Sequence, residues 1–150
     1  MQHTEHTIQI HATKEKVWQV LWGDETLRDW AGMIDPGTYM TGTLEEGGEV
    51  NFIGNSEGGV RYGVTSRVDK LVPNEYIFFT RTADIVLQPD GAIEKRASQW
   101  AGTTEDYKLE EYDGTVTLTN SQDVPDELVE YFNAKLPEVL QCIKVLAEPR

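Results

Sequence analysis

The chain has 150 residues, 39% hydrophobic and 26% charged, a balance that suits one folded domain and excludes a disordered polar chain. Its 13 Lys and Arg against 26 Asp and Glu give a net charge of −13, a field that repels phosphate backbones and anionic lipid headgroups and argues against nucleic-acid and membrane partners. The single cysteine, Cys142, excludes an intrachain disulfide, and the opening MQHTEHTIQIHAT has neither the basic nor the apolar segment of a signal peptide, so a cytoplasmic protein is expected.

Thr7 to Thr13 alternates, with Ile8 and Ile10 on one side and Gln9 and His11 on the other, which predicts a strand. From Thr13, a plausible N-cap, the period lengthens: Val17, Val20 and Leu21 fall at helical spacing, as do Trp18 and Trp22. Gly23 breaks this helix, and Asp24 opens a second short one reaching about Trp30.

The middle of the chain reads as consecutive strands. Thr38–Leu44 and Glu49–Ile53 flank the turn Glu45-Glu46-Gly47-Gly48, and Asn55-Ser56-Glu57-Gly58-Gly59 predicts the next turn. Val60–Asp69 places Val60, Tyr62, Val64 and Val68 on one face and Arg61, Thr65, Arg67 and Asp69 on the other. Val72-Pro73-Asn74 leads into Glu75–Thr82, which carries Tyr76, Ile77, Phe78 and Phe79. Turns this short imply hairpins and hence a meander. Ala83–Gln99 has a turn signal at Gln88-Pro89-Asp90-Gly91 and a charged cluster at Glu94-Lys95-Arg96, and reads as a hairpin extension, a short helix or a loop. Trp100–Glu111 and Thr115–Asn120 are strands joined at Tyr112-Asp113-Gly114. A C-terminal helix follows, with Asp123 and Pro125 near its start. Its apolar stripe is Leu128, Phe132, Leu136, Val139, Leu140, Ile143 and Leu146. Pro137 predicts a kink near Asn133–Leu136 or a split into two helices.

Several local patterns carry a family likeness: Ile10-His11-Ala12-Thr13-Lys14-Glu15-Lys16-Val17-Trp18, Asp29-Trp30, Gly47-Gly48 before Phe52, the Gly63-Val64 strand ending at Pro73, and Leu136-Pro137-Glu138-Val139-Leu140. Together they resemble the START-like and Bet v 1-like (SRPBCC) helix-grip superfamily, in particular bacterial homologues of the Hsp90 ATPase activator C-terminal domain. Leu136 stands where relatives commonly have Trp, and Ala83–Gln99 matches the pattern poorly. The resemblance spans nearly the whole chain and implies one α+β domain over residues 1–150. Its curved antiparallel sheet of about six to seven strands would wrap a long C-terminal helix, with two short helices after the first strand and a cavity between sheet and helix. Many relatives bind lipids, sterols or polyketide-like molecules, and some are aromatases or cyclases. No one catalytic set is shared, so the fold fixes no activity.

Individual residues sharpen this. His3, His6 and His11 lie in or near one strand, but His3 and His6 face opposite ways and nothing completes a ligand set, so no metal and no cofactor is expected. Cys142, among Val139, Ile143 and Leu146, reads as a small hydrophobe rather than a nucleophile. With a cavity implied, Trp30, Phe52, Tyr62, Phe78, Trp100 and Tyr107 are candidate lining aromatics, alongside Val64, Leu136, Leu140 and Ile143. If Tyr107 and Leu109 point inward, parity sends Glu105 and Thr103 inward too; likewise Asn120 joins Val116 and Leu118, and Ser66 joins Val64 and Val68. Glu105 is the candidate acid or base, since a carboxylate facing an apolar cavity is raised by desolvation.

The leading expectation is a monomer or weak homodimer that binds a small apolar or aromatic molecule in an internal cavity. A polyketide cyclase- or aromatase-like enzyme using Glu105 and a protein-interaction domain of the chaperone-activator kind are the alternatives.

Overall fold

Thr13 divides the first strand from the first helix. Its backbone is extended (φ −75°, ψ 154°) and its hydroxyl accepts the Lys16 amide at 3.1 Å, satisfying one of the donors a helix start leaves unpaired. In the computed structural model, which describes residues 1–149 without the side chains of residues 55–57, β1 (Gln2–Ile10) leads through this cap into α1 (Lys14–Trp22) and α2 (Asp24–Ala31). Gly23 ends α1 by donating to the Gln19 carbonyl at 2.8 Å, and its own carbonyl accepts the Leu27 amide at 2.8 Å to begin α2. The Trp30 indole then donates to the carbonyls of Leu21 and Val20 at 3.1 and 3.3 Å, locking α2 onto the end of α1.

The strands that follow are β2 (Tyr39–Gly42), β3 (Glu49–Glu57), β4 (Val60–Val72), β5 (Tyr76–Leu87), β6 (Ile93–Arg96), β7 (Thr104–Tyr112) and β8 (Thr115–Val124). A 3-10 turn, Asp126–Leu128, precedes α3 (Val129–Ala147). All eight strands form one antiparallel sheet in the order β1-β8-β7-β5-β4-β3-β2, with β6 paired to β5. This is the helix-grip architecture, with one strand more than the six or seven expected. Among the described residues, no helix is long and apolar enough to cross a membrane.

The extra strand lies in the stretch that reads poorly as sequence. β5 continues through Ala83 to Leu87, turns at Gln88–Gly91 and returns as β6, with Leu87 opposite Ile93 and Asp84 opposite Arg96. Two other expectations are corrected. The last strand runs four residues beyond Asn120, to Val124. The final helix is not split: it begins as a 3-10 turn directly after Pro125, as expected, and α3 continues through Pro137, although that residue donates no backbone bond. Burial explains the continuity, since Leu136, Val139, Leu140, Ile143 and Ala147 all lie on its covered face.

The core joins Ile10, Val17, Leu21, Val50, Val68, Ile77, Phe79, Leu118 and Ile143, drawn from strands and helices alike. α3 packs on β1, α1 and α2, leaving its Phe132–Ile143 face toward the open part of the sheet.

Candidate functional site

A cavity of about 240 Å³ lies between α3 and the sheet. Phe132, Leu136, Val139, Leu140 and Ile143 form its helical wall, at the spacing that keeps side chains on one face. α2 and the loop after it contribute Trp30, Ala31, Ile34, Asp35 and Thr38. The sheet supplies Phe52, Val64 and Ser66, together with the bare backbone of Gly54 and Gly63. At Gly63 a Cβ would run into the Phe52 carbonyl, so glycine is what lets β3 and β4 approach here. Trp100, from the β6–β7 connection, tilts against Phe132 with ring centroids 6.4 Å apart.

One end of this apolar space is polar. Arg81 is 6% exposed, and its Nη1 donates to Thr103 Oγ1 at 3.1 Å and to the carbonyls of Asp123 and Thr104 at 2.9 and 3.4 Å. Its Nη2 donates to Gln122 Oε1 at 2.8 Å and lies 3.9 Å from Glu105 Oε2. The Trp100 ring covers the buried guanidinium, 4.8 Å from ring centroid to Cζ, a cation–π contact. Glu105 in turn accepts the Tyr107 hydroxyl at 3.0 Å. Burial, and next the Glu105 charge, hold the Tyr107 phenol well above its ordinary value of 10, so it stays a neutral donor. A buried cation is costly unless its donors are satisfied, and here four neutral acceptors hold it.

Behind Arg81, Asp123 carries the opposite balance. Burial pushes its carboxyl up, but the His3 ring at 2.9 Å and the Thr104 amide at 2.8 Å outweigh this and hold it below the usual carboxylate range.

Of the candidates read from sequence, Trp30, Phe52, Val64, Trp100, Glu105, Tyr107, Leu136, Leu140 and Ile143 lie on this wall, as does Ser66. Three stand elsewhere. Tyr62 has the right parity but sits nearer the Gly58-Gly59 turn and is 42% exposed, beyond the cavity. Phe78 is half-buried on the opposite face of β5, because Ile77 and Phe79 are the residues that point inward. Asn120 is fully buried but backs the wall: its amide donates to the Asp106 carbonyl at 3.3 Å and its oxygen accepts Gln122 Nε2 at 2.9 Å.

Of the polar wall residues that sequence reasoning missed, Asp35 and Thr38 lie in the loop after α2, and Arg81 and Gln122 lie on strands. The two on strands carried a signal: Arg81 follows Ile77 and Phe79 at period two, and Gln122 follows Leu118 and Asn120 in the same way. The histidines do not converge: His3 pairs with Asp123, and His11 meets Thr115 Oγ1 at 3.1 Å. Among the described residues no group of three or more His, Cys, Asp or Glu is placed to hold a metal ion. Cys142 is half-buried, and burial, then the Asp29 charge, push its thiol up, away from reactivity.

No curated protein matches the chain. Among solved structures, it is similar to the Aha1 dimer from Colwellia psychrerythraea, with 23% identity, a TM-score of 0.68, and 99% of this chain and 97% of that one covered. Protein CV1439 from Chromobacterium violaceum is 17% identical with a TM-score of 0.67, each chain covered in full. DynU16, of the dynemicin biosynthetic locus, is 13% identical with a TM-score of 0.62; the match covers 95% of this chain and 45% of that one. These likenesses concern the fold. The sequence model of one family, described as activator of Hsp90 ATPase homolog 1-like protein, matches residues 11–147, nearly the whole chain, and the chain therefore belongs to that family.

Proposed function

We propose that this domain binds a small apolar or aromatic molecule in the cavity between sheet and α3. The observation that carries the reading is the cavity itself. Protein interiors pack closely and keep few voids larger than a water. A concavity of about 240 Å³ walled by Trp30, Phe52, Trp100, Phe132 and Leu140 leaves these apolar side chains without partner atoms on one side. A concave apolar wall with a few convergent polar groups is the usual form of a small-molecule site.

The reading is tested by thermal unfolding in the presence of fatty acids, sterols and small aromatic compounds. A molecule that binds only the folded chain raises the midpoint with concentration. A saturable rise for at least one class, lost when the cavity is filled by substitution, is expected; no response across the panel counts against binding.

A second reading has its own observation. Glu105 and Tyr107 place a carboxylate and a phenol hydrogen-bonded together on the cavity wall, the arrangement a cyclase- or aromatase-like enzyme would use to move a proton. It requires that Glu105→Gln folds and binds normally but loses turnover. Equal turnover removes Glu105 from any mechanism.

A further inference from the structure

Arg81 and Glu105 stop short of one another. Nη2 and Oε2 are 3.9 Å apart, too far for a hydrogen bond, although the two side chains are only 7% and 17% exposed. Their neighbours fix the gap. Gln122, Thr103 and the Asp123 carbonyl hold the guanidinium from one side, and the Tyr107 hydroxyl holds the carboxylate from the other. A single oxygen about 2.8 Å from each atom would span the gap with an angle near 90° at its apex. That oxygen must accept from the guanidinium and donate to the carboxylate. A hydroxyl does both, as does a water that a ligand hydroxyl would displace; a carboxylate cannot donate and adds charge beside Glu105, while an ammonium cannot accept and adds charge beside Arg81.

The space around the pair limits what carries the hydroxyl. Trp30, Phe52, Trp100 and Phe132 line it, with the Trp100 ring laid over the Arg81 guanidinium. The volume of about 240 Å³ exceeds the roughly 150 Å³ of an apolar cavity that takes up one benzene ring. The excess leaves room for a second fused ring. We infer that the ligand is a neutral phenol on a body of one or two aromatic rings, its hydroxyl bridging Arg81 and Glu105. This rests on the reading of the cavity as a binding site.

The test compares 2-naphthol with 2-methylnaphthalene, nearly equal in shape, by amide shifts of the isotope-labelled chain. Burial alone favours the methyl compound, because it is the more apolar of the two. A hydroxyl held by two charged groups reverses that order, and 2-naphthol is expected to bind at least about tenfold more tightly, with shifts at Trp100, Glu105 and Tyr107. Glu105→Ala should abolish the preference while 2-methylnaphthalene still binds. The wild-type comparison decides the question even if that variant does not fold. Equal or tighter binding of 2-methylnaphthalene overturns the phenol and leaves the cavity as a site for apolar molecules. If neither compound shifts the wall residues, both the phenol and the binding reading fall.

Discussion

Tyr107 donates its hydroxyl to Glu105 across 3.0 Å, and the two side chains leave the same face of β7. Parity alone brings them together, since residues two apart on a strand point the same way. The ring of Tyr107 also meets Trp22 edge-on at 5.2 Å and Trp30 at 6.1 Å. Tyr107→Phe keeps this aromatic packing and removes one donor from a poorly hydrated carboxylate. A loss of about 1–2 kcal/mol at pH 7 is expected, read from the urea midpoint at unchanged slope.

Alkaline titration isolates the same group. Burial and then Glu105 hold the Tyr107 phenol well above 10, and burial and then Asp106 push Tyr76 up to about 12. Unfolded phenols ionise near 10. The folded chain therefore keeps protons that the unfolded chain releases. This stability is complete below pH 10 and is lost as the pH rises from there through the folded values. Stability should fall above pH 10, and in Tyr107→Phe the fall should be shallower by one proton's worth, about 1.4 kcal/mol per pH unit.

Arg81→Met removes the cation and strands Glu105 beside an apolar cavity. A cost of about 3–5 kcal/mol is expected from chemical unfolding, with much of it recovered in Arg81→Met/Glu105→Gln. Arg81→Lys should not rescue stability fully, because an ammonium cannot reproduce the forked contacts to Gln122, Thr103 and Asp123. A double variant no more stable than Arg81→Met would show that Glu105 is not the group left uncompensated.

Leu136 lies on the helical wall and is 4% exposed. Leu136→Trp should place an indole in the cavity, changing stability by less than about 1.5 kcal/mol because it fills empty space. Affinity for any cavity ligand should fall at least about tenfold in a calorimetric titration. Unchanged affinity would move the binding site elsewhere.

Much of this site was legible as alternation, and the exceptions have physical causes. Side chains alternate along β7 and, despite a register shift against β5 at Thr65/Ser66, through Val64–Val68 of β4, so Glu105, Tyr107, Val64 and Ser66 fall where parity sends them. Parity assigns a face but not a depth, which is why Tyr62 shares a face with Val64 and still lies outside the cavity. In Tyr76–Phe79 four apolar residues in succession hide the period, so Phe78 could not be told from Phe79 and the phase that carries Arg81 was lost. On β8 the period of Leu118 and Asn120 sends Gln122 inward, but that a polar side chain can stay there depends on Arg81 and Asn120 as its partners, a tertiary condition the local pattern does not encode. At Pro137 the local rule against proline in a helix yields to the burial of Leu136, Val139 and Leu140 around it.

The most direct test of the binding reading is a titration of the isotope-labelled chain with fatty acids, sterols and small aromatic compounds, followed amide by amide. The account predicts saturable shifts concentrated at Trp30, Phe52, Arg81, Trp100, Tyr107 and the Phe132–Ile143 face of α3, with Tyr62 and Phe78 little affected. No saturable response, or weak shifts scattered over the acidic surface, would contradict it.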